Sequence, residues 1–183
     1  MSSQSLSTPI RSMVFSALFA ALLCVVAPFS LYIGPIPLSF ATLVIYIAAG
    51  SLGYKQGLAS VVLYVLLGAI GLPVFTGFEG GFHKIAGVTG GFIIGYIPLA
   101  YFTGLFAQIA RDSRKMSILI SILGMVIGTT VLYICGVAWF MLQTGAGLLT
   151  ALMACVTPFI IGDSIKIAAA TIITPQLRSL IMR

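Results

Sequence analysis

In the hydrophobic stretch from Met153 to Thr174, an acid and a base stand three residues apart: Asp163 and Lys166, in the run GDSIKIAAATIITP. A charge at the centre of a membrane-spanning helix costs about 2.5–3.5 kcal/mol on insertion scales, so such a pair has a reason to be there. Residues i and i+3 of a helix leave from one face, about one turn apart. The two charges can neutralise each other as a structural tie, or present a carboxylate and an ammonium side by side to a polar guest. Gly162 and Ser164 leave room beside them, and Thr157, Pro158 and Gly162 loosen the N-terminal half of the helix.

Other reactive residue types are scarce. The single His83 has no second His or Cys at ligand spacing, so a metal site is not expected. Cys24, Cys135 and Cys155 lie in or beside apolar runs without a CxxC pair, and read as small buried hydrophobes. HExxH, GxSxG and Walker motifs are absent, which argues against hydrolysis, including ATP hydrolysis by the chain itself. The segment GVTGGFIIG sets Gly87, Gly91 and Gly95 four apart, a row that lets helix backbones approach closely. Alternatively, the bare backbone at Gly90 and Gly91, with the Thr89 hydroxyl, lines a ligand site. Gly124 and Gly128 repeat the spacing and read as packing.

The elements that must hold these residues are membrane helices. Of 183 residues, 60% are hydrophobic and 7% charged, far too little charge for a soluble surface. The net charge of +6 is not a nucleic-acid footprint, because the basic residues sit at the ends of apolar runs. The pattern predicts an all-α membrane protein, one domain over 1–183, with six transmembrane helices near Ile10–Ala27, Leu38–Gly53, Leu58–Leu72, Ile85–Ala110, Met116–Leu142 and Leu149–Thr174. SLGYKQG between the second and third reads as a tight helical hairpin. Pro73 and Pro175 are expected to end their helices, Pro35 and Pro37 to precede one, and Pro98 and Pro158 to kink theirs.

With a cytoplasmic N-terminus, Arg11, Lys55, Arg111, Arg114, Lys115, Arg178 and Arg183 fall inside and only Lys84 outside, so both termini are placed in the cytoplasm. The first two outer connections, PFSLYIGPIP and GLPVFTGFEGGFHK, are apolar and rich in glycine, proline and aromatics, as suits a lid over a pocket or a segment resting at the membrane interface. A third lies around MLQTGAG. The first helix carries Ser12, Ser16 and Ala20 on one row and Ala17 and Ala21 on the next, a smooth flank for a helix of this chain or of another subunit.

Four stretches carry a resemblance over nearly the whole chain: GPIPLSFATLVIYIAAGSLGYKQG, YVLLGAIGLPVFTGFEGG, TGGFIIGYIPLAYFTG and GDSIKIAAA. They resemble the BioY family, the biotin-specific substrate-binding S-components of energy-coupling-factor (ECF) transporters. The chain departs from the usual pattern with Ala41 where many relatives have glutamine, and with Val88 where proline is usual. The resemblance implies a plasma-membrane protein that captures biotin from outside and releases it after docking on a transmembrane scaffold that carries two ATPase subunits. It places Ala17 and Ala21, with Ser16 and Ala20, at the scaffold contact. It implies no cofactor, no metal and no enzymatic activity.

Biotin's chemistry complements the motif. Its ureido ring offers two N–H donors and one carbonyl, and its tail ends in a carboxylate. Asp163 can accept ureido N–H groups and Lys166 can donate to a ligand oxygen, each such bond contributing roughly 1.5–3 kcal/mol. Phe75, Trp139 and Phe92 are expected as apolar walls, and Thr89, Gly91 and Glu79 as polar contacts. The alternatives are an S-component for another small vitamin, an ion-coupled carrier or channel using Asp163, and, least supported by the motifs, an intramembrane enzyme.

Overall fold

The computed structural model describes residues 4–31, 36–110 and 116–181. Pro35 and the basic residues Arg111, Arg114, Lys115 and Arg183 of the orientation argument lie outside these. Among the described residues eight helices follow in order: α1 (Gln4–Val26), α2 (Ala41–Leu52), α3 (Tyr54–Ala69), α4 (Phe82–Ala86), α5 (Gly90–Ile109), α6 (Met116–Thr144), α7 (Leu148–Cys155) and α8 (Thr157–Ile181). A two-residue antiparallel ribbon, β1 (Ser30–Leu31) and β2 (Leu38–Ser39), joins α1 to α2.

Among the described residues, three helical segments are long and apolar enough to cross a bilayer: Gly90–Ile109, Ser117–Thr144 and Leu148–Ile181. The apolar helices Ile10–Val26, Ala41–Leu52 and Tyr54–Ala69 are shorter. Large apolar side chains are exposed on several helices, among them Met13 and Leu18 on α1, Leu119 and Ile134 on α6, and Ile161, Ile165 and Ile172 on α8. Water would not tolerate such a surface and lipid does. The chain is an all-α membrane protein.

The boundaries depart from expectation where backbone chemistry intervenes. The second segment begins as strand, since Leu38 and Ser39 pair with Leu31 and Ser30. The third begins four residues early, because Gly53 alone makes the turn between α2 and α3 at φ 87°. The Gly57 position there lies so close to Ala49 that a Cβ would stand 2.5 Å from its Cα. The sixth segment breaks at Val156 (φ −125°, ψ −53°). Pro158 therefore falls in the first turn of α8, where a missing N–H costs nothing. Pro175 does not end its helix. It sits inside α8, on an exposed side, and a single lost backbone bond is tolerated there.

Helices α5 and α6 form the most extensive helix pair, and the glycine row makes it so. A Cβ at Gly91 would stand 2.3 Å from Trp139 Cβ and 2.5 Å from the Cys135 carbonyl, and one at Gly128 would meet the Leu99 backbone. Gly91→Ala is therefore expected to destabilise the protein by about 1–3 kcal/mol through overpacking. Gly147→Ala, whose methyl meets open space, is expected to change stability by less than about 0.5 kcal/mol. Unfolding temperatures of the two variants in detergent check this.

On the other flank, Ser16 Oγ lies 3.3 Å from the Gln56 carbonyl of α3, Gln56 Nε2 donates to Ser12 Oγ, and Ala20 is fully buried. The Ser12–Ser16–Ala20 row thus packs against this chain, with Ser12 and Ser16 half-buried and Ala20 buried. Ala17 and Ala21 are exposed.

Candidate functional site

Asp163 and Lys166 are 4% and 6% exposed, and their side chains meet at 3.0 Å. The i,i+3 spacing on α8 makes this possible, and the neighbouring elements complete it. The Lys166 ammonium donates to the Ser39 carbonyl of β2 at 2.8 Å, to Thr42 Oγ1 of α2 at 3.0 Å and to Asp163 Oδ1. Its three N–H donors are then all used. Thr42 in turn donates to Asp163 Oδ1 at 3.3 Å. Tyr133 of α6 donates to Asp163 Oδ2 at 2.7 Å. Oδ2 keeps acceptor capacity for one more donor.

One helical turn further along the bundle, a second tie repeats the arrangement. Thr129 donates its only hydroxyl proton to the Met125 carbonyl at 2.7 Å, so Tyr46 is the donor in the Tyr46–Thr129 pair. Helices α2, α6 and α8 are thus cross-linked by hydrogen bonds just where the ion pair must be held. A buried pair is tolerable only when its remaining donors and acceptors are satisfied, and these hydroxyls satisfy them.

The pair forms part of the wall of a cavity. Ile36, Pro37, Ser39 and Thr42 line it from the ribbon and α2, Tyr64 from α3, and Phe75 and Thr76 from the following loop. Lys84, Thr89, Phe92, Ile93 and Tyr96 close a second side, and Leu132, Tyr133 and Phe159 a third. Phe92 and Phe159 face each other with ring centres 6.2 Å apart, and Phe75 meets Tyr64 edge-on. The chemistry is an apolar, aromatic slot with one carboxylate–ammonium pair and several hydroxyls converging on it, suited to a small guest with both ring and polar edges. The α1–α2 and α3–α4 connections, which both contribute to the lining, touch each other. Gly77 N–H donates to the Pro28 carbonyl, and Phe29 stacks edge-to-face on Phe78 at 5.3 Å.

A family model described as "BioY family" matches residues 1–183, the whole chain. This chain belongs to the BioY family. A probable biotin transporter BioY of Pyrococcus horikoshii is 40% identical over 162 residues, which cover 88% of this chain and 93% of that one. A biotin transporter BioY of Thermotoga maritima is 34% identical over 171 residues, covering 93% and 97%. The crystal structure of the S-component for biotin from an ECF-type ABC transporter superposes with a TM-score of 0.82 at 27% identity, covering 98% of this chain and 95% of that one.

In this BioY-family chain, Asp163, Lys166, Thr89, Phe75 and Phe92 are brought together on one cavity, while three other expected contacts lie elsewhere. Gly91 is turned to α6, against Trp139 and Cys135. Trp139 sits one layer behind the wall. Its indole N–H donates at 2.9 Å to the Gly87 carbonyl, which also accepts the Gly90 N–H in the turn between α4 and α5. Glu79 is exposed and pairs with Lys84 at 2.8 Å. Sequence reasoning missed Tyr64, Tyr96, Tyr133, Ser39, Thr42 and Lys84. The tyrosines left a signal, since a phenol hydroxyl inside an apolar span needs a hydrogen-bond partner.

Proposed function

We propose that this chain is the biotin-binding S-component of an ECF-type ABC transporter, and that the cavity between α8, α5, α6 and the ribbon is its substrate site. The observation that carries this reading is the buried Asp163–Lys166 pair on the wall of an aromatic slot. Asp163 Oδ2 has capacity for a ureido N–H. Phe75, Phe92 and Phe159 offer the surface that a thioether-containing bicycle requires, and Thr89 and Thr76 add hydroxyls. The likeness to biotin transporters over nearly the full length supports the same guest. On this reading the chain binds and delivers, and catalyses nothing itself.

The finer arrangement follows from charge and composition. The chain crosses the plasma membrane six times with both termini in the cytoplasm. It captures biotin from outside and delivers it together with a transmembrane scaffold and two ATPase subunits. The void at the site measures about 40 Å³. That is far below the roughly 300 Å³ of pockets that enclose a drug-sized ligand. Biotin entry therefore requires the ribbon and the Phe75–Glu79 turn to move outward, as a lid.

Titration calorimetry of the purified protein tests the reading. Saturable biotin binding without ATP is expected, and Asp163→Asn is expected to weaken it by on the order of tenfold to a hundredfold, the loss of one hydrogen bond to a charged group. A folded protein that does not bind biotin would sink the proposal.

A further inference from the structure

Lys84 is a second cation on the cavity wall, and its counter-ion lies outside that wall. The Lys84 ammonium meets Glu79 Oε2 at 2.8 Å; the Lys84 side chain is 19% exposed and that of Glu79 is 49%. Glu79 does not line the cavity, whereas Lys84 does. The Glu79 backbone is fixed, because its carbonyl accepts the Phe75 N–H at 2.8 Å across a turn in which Phe78 takes φ 60°. Its side chain reaches solvent, so the carboxylate can leave Lys84 for water without disturbing the turn.

Charge balance then restricts where an anionic tail can lie. The Asp163–Lys166 pair is neutral as a unit, and all three Lys166 donors are occupied. A substrate carboxylate beside Asp163 would place two anions in one desolvated site. Among the described residues, Lys84 is the remaining cation on the wall. Lys84 stands on α4 and Asp163 on α8, so the two ends of the substrate meet different elements of the wall.

Resting on the biotin reading above, we infer that Lys84 receives the substrate's carboxylate and that Glu79 is an exchangeable internal counter-ion which the substrate displaces. Glu79 keeps the Lys84 charge compensated until a carboxylate of the right reach arrives. The site thereby selects a monocarboxylate over its neutral analogues, and Glu79 sets the affinity by competition.

The test compares biotin with its carboxamide, in which the carboxylate is neutral, by calorimetry on the full chain. In Lys84→Met, the ratio of biotin affinity to carboxamide affinity is expected to fall by about tenfold or more, the loss of a charge-assisted hydrogen bond. In Glu79→Gln, biotin affinity is expected to rise by up to about fivefold, the size of an exposed ion pair. That gain should vanish when Lys84→Met is added. An unchanged affinity ratio in Lys84→Met, or no gain in Glu79→Gln, overturns the inference while the biotin reading stands. If the unmodified chain binds neither ligand, the biotin reading falls and this inference with it.

Discussion

Replacing Lys166 with methionine is expected to destabilise the protein by about 3–5 kcal/mol, because it strands the Asp163 carboxylate in a site that is 4% exposed. The stranded charge would keep only the Tyr133 and Thr42 hydroxyls. Asp163→Asn strands the ammonium instead, but the asparagine carbonyl oxygen can still accept from it beside the Ser39 carbonyl and Thr42 Oγ1, so its cost should be smaller. The double variant Asp163→Asn/Lys166→Met removes both charges. It is expected to regain most of the stability lost in Lys166→Met, since the penalty is for an unpaired charge and a buried pair adds little net stability. It should not regain biotin binding, because the acceptor for the ureido N–H is weakened in both. Unfolding temperatures and calorimetry on the three variants separate the two roles of the pair. A double variant that is stable and binds biotin like the parent would make the pair a structural tie and nothing more.

The pair also explains why the ribbon stays where it is. Among the described residues, the only backbone acceptor of the Lys166 ammonium is Ser39 O, in β2. Ser39 is itself pinned, donating its hydroxyl to the Ala27 carbonyl at 3.1 Å and accepting the Ala41 N–H. The charge on α8 thereby reaches the segment that closes the cavity. On the proposed reading, a rearrangement that admits substrate by moving β2 must loosen or replace that bond, so the ion pair on α8 is coupled to the segment that has to move.

What was legible in the sequence follows from which features are energetic anomalies. Two charges in an apolar helix cannot be explained by lipid or by core packing, so Asp163 and Lys166 stood out without any knowledge of neighbours. Helices were legible for the same reason, since lipid imposes their composition. Tyr133 was harder. A tyrosine is ordinary at helix positions of every rotation, and its pairing with Asp163 exists only because α6 presents that face to α8. Ser39 and Thr42 were hidden by the ribbon, whose two-residue pairing no periodicity announces. Gly91 and Trp139 lie off the cavity wall, because the rotation of α5 turns Gly91 to α6 and the Gly87 carbonyl takes the indole N–H. Composition gives which residues are unusual, and tertiary rotation decides which of them meet.

Filling the exposed alanine flank of α1 is expected to block uptake without blocking capture. Ala17 and Ala21 are exposed, one turn apart, between the bulky exposed side chains of Met13, Val14, Leu18 and Leu22. The next row, Ser12, Ser16 and Ala20, is already committed to α3. Two small residues in a rim of large ones form a shallow groove that lets another helix approach at backbone distance. Lipid tails gain little from such a groove, whereas a partner helix gains close packing. Ala17→Leu/Ala21→Leu keeps the surface apolar, so the fold and biotin affinity should hold. Loss of close packing is expected to lower biotin uptake in cells by on the order of tenfold, the equivalent of one interhelical contact of 1–2 kcal/mol. Ala20→Leu should behave in the opposite way. Its site is 1% exposed, so overpacking should cost about 1–3 kcal/mol of stability, with uptake falling only as folded protein is lost. Uptake per folded molecule is the deciding measurement. If it is unchanged in Ala17→Leu/Ala21→Leu, the energising partner docks elsewhere on the bundle.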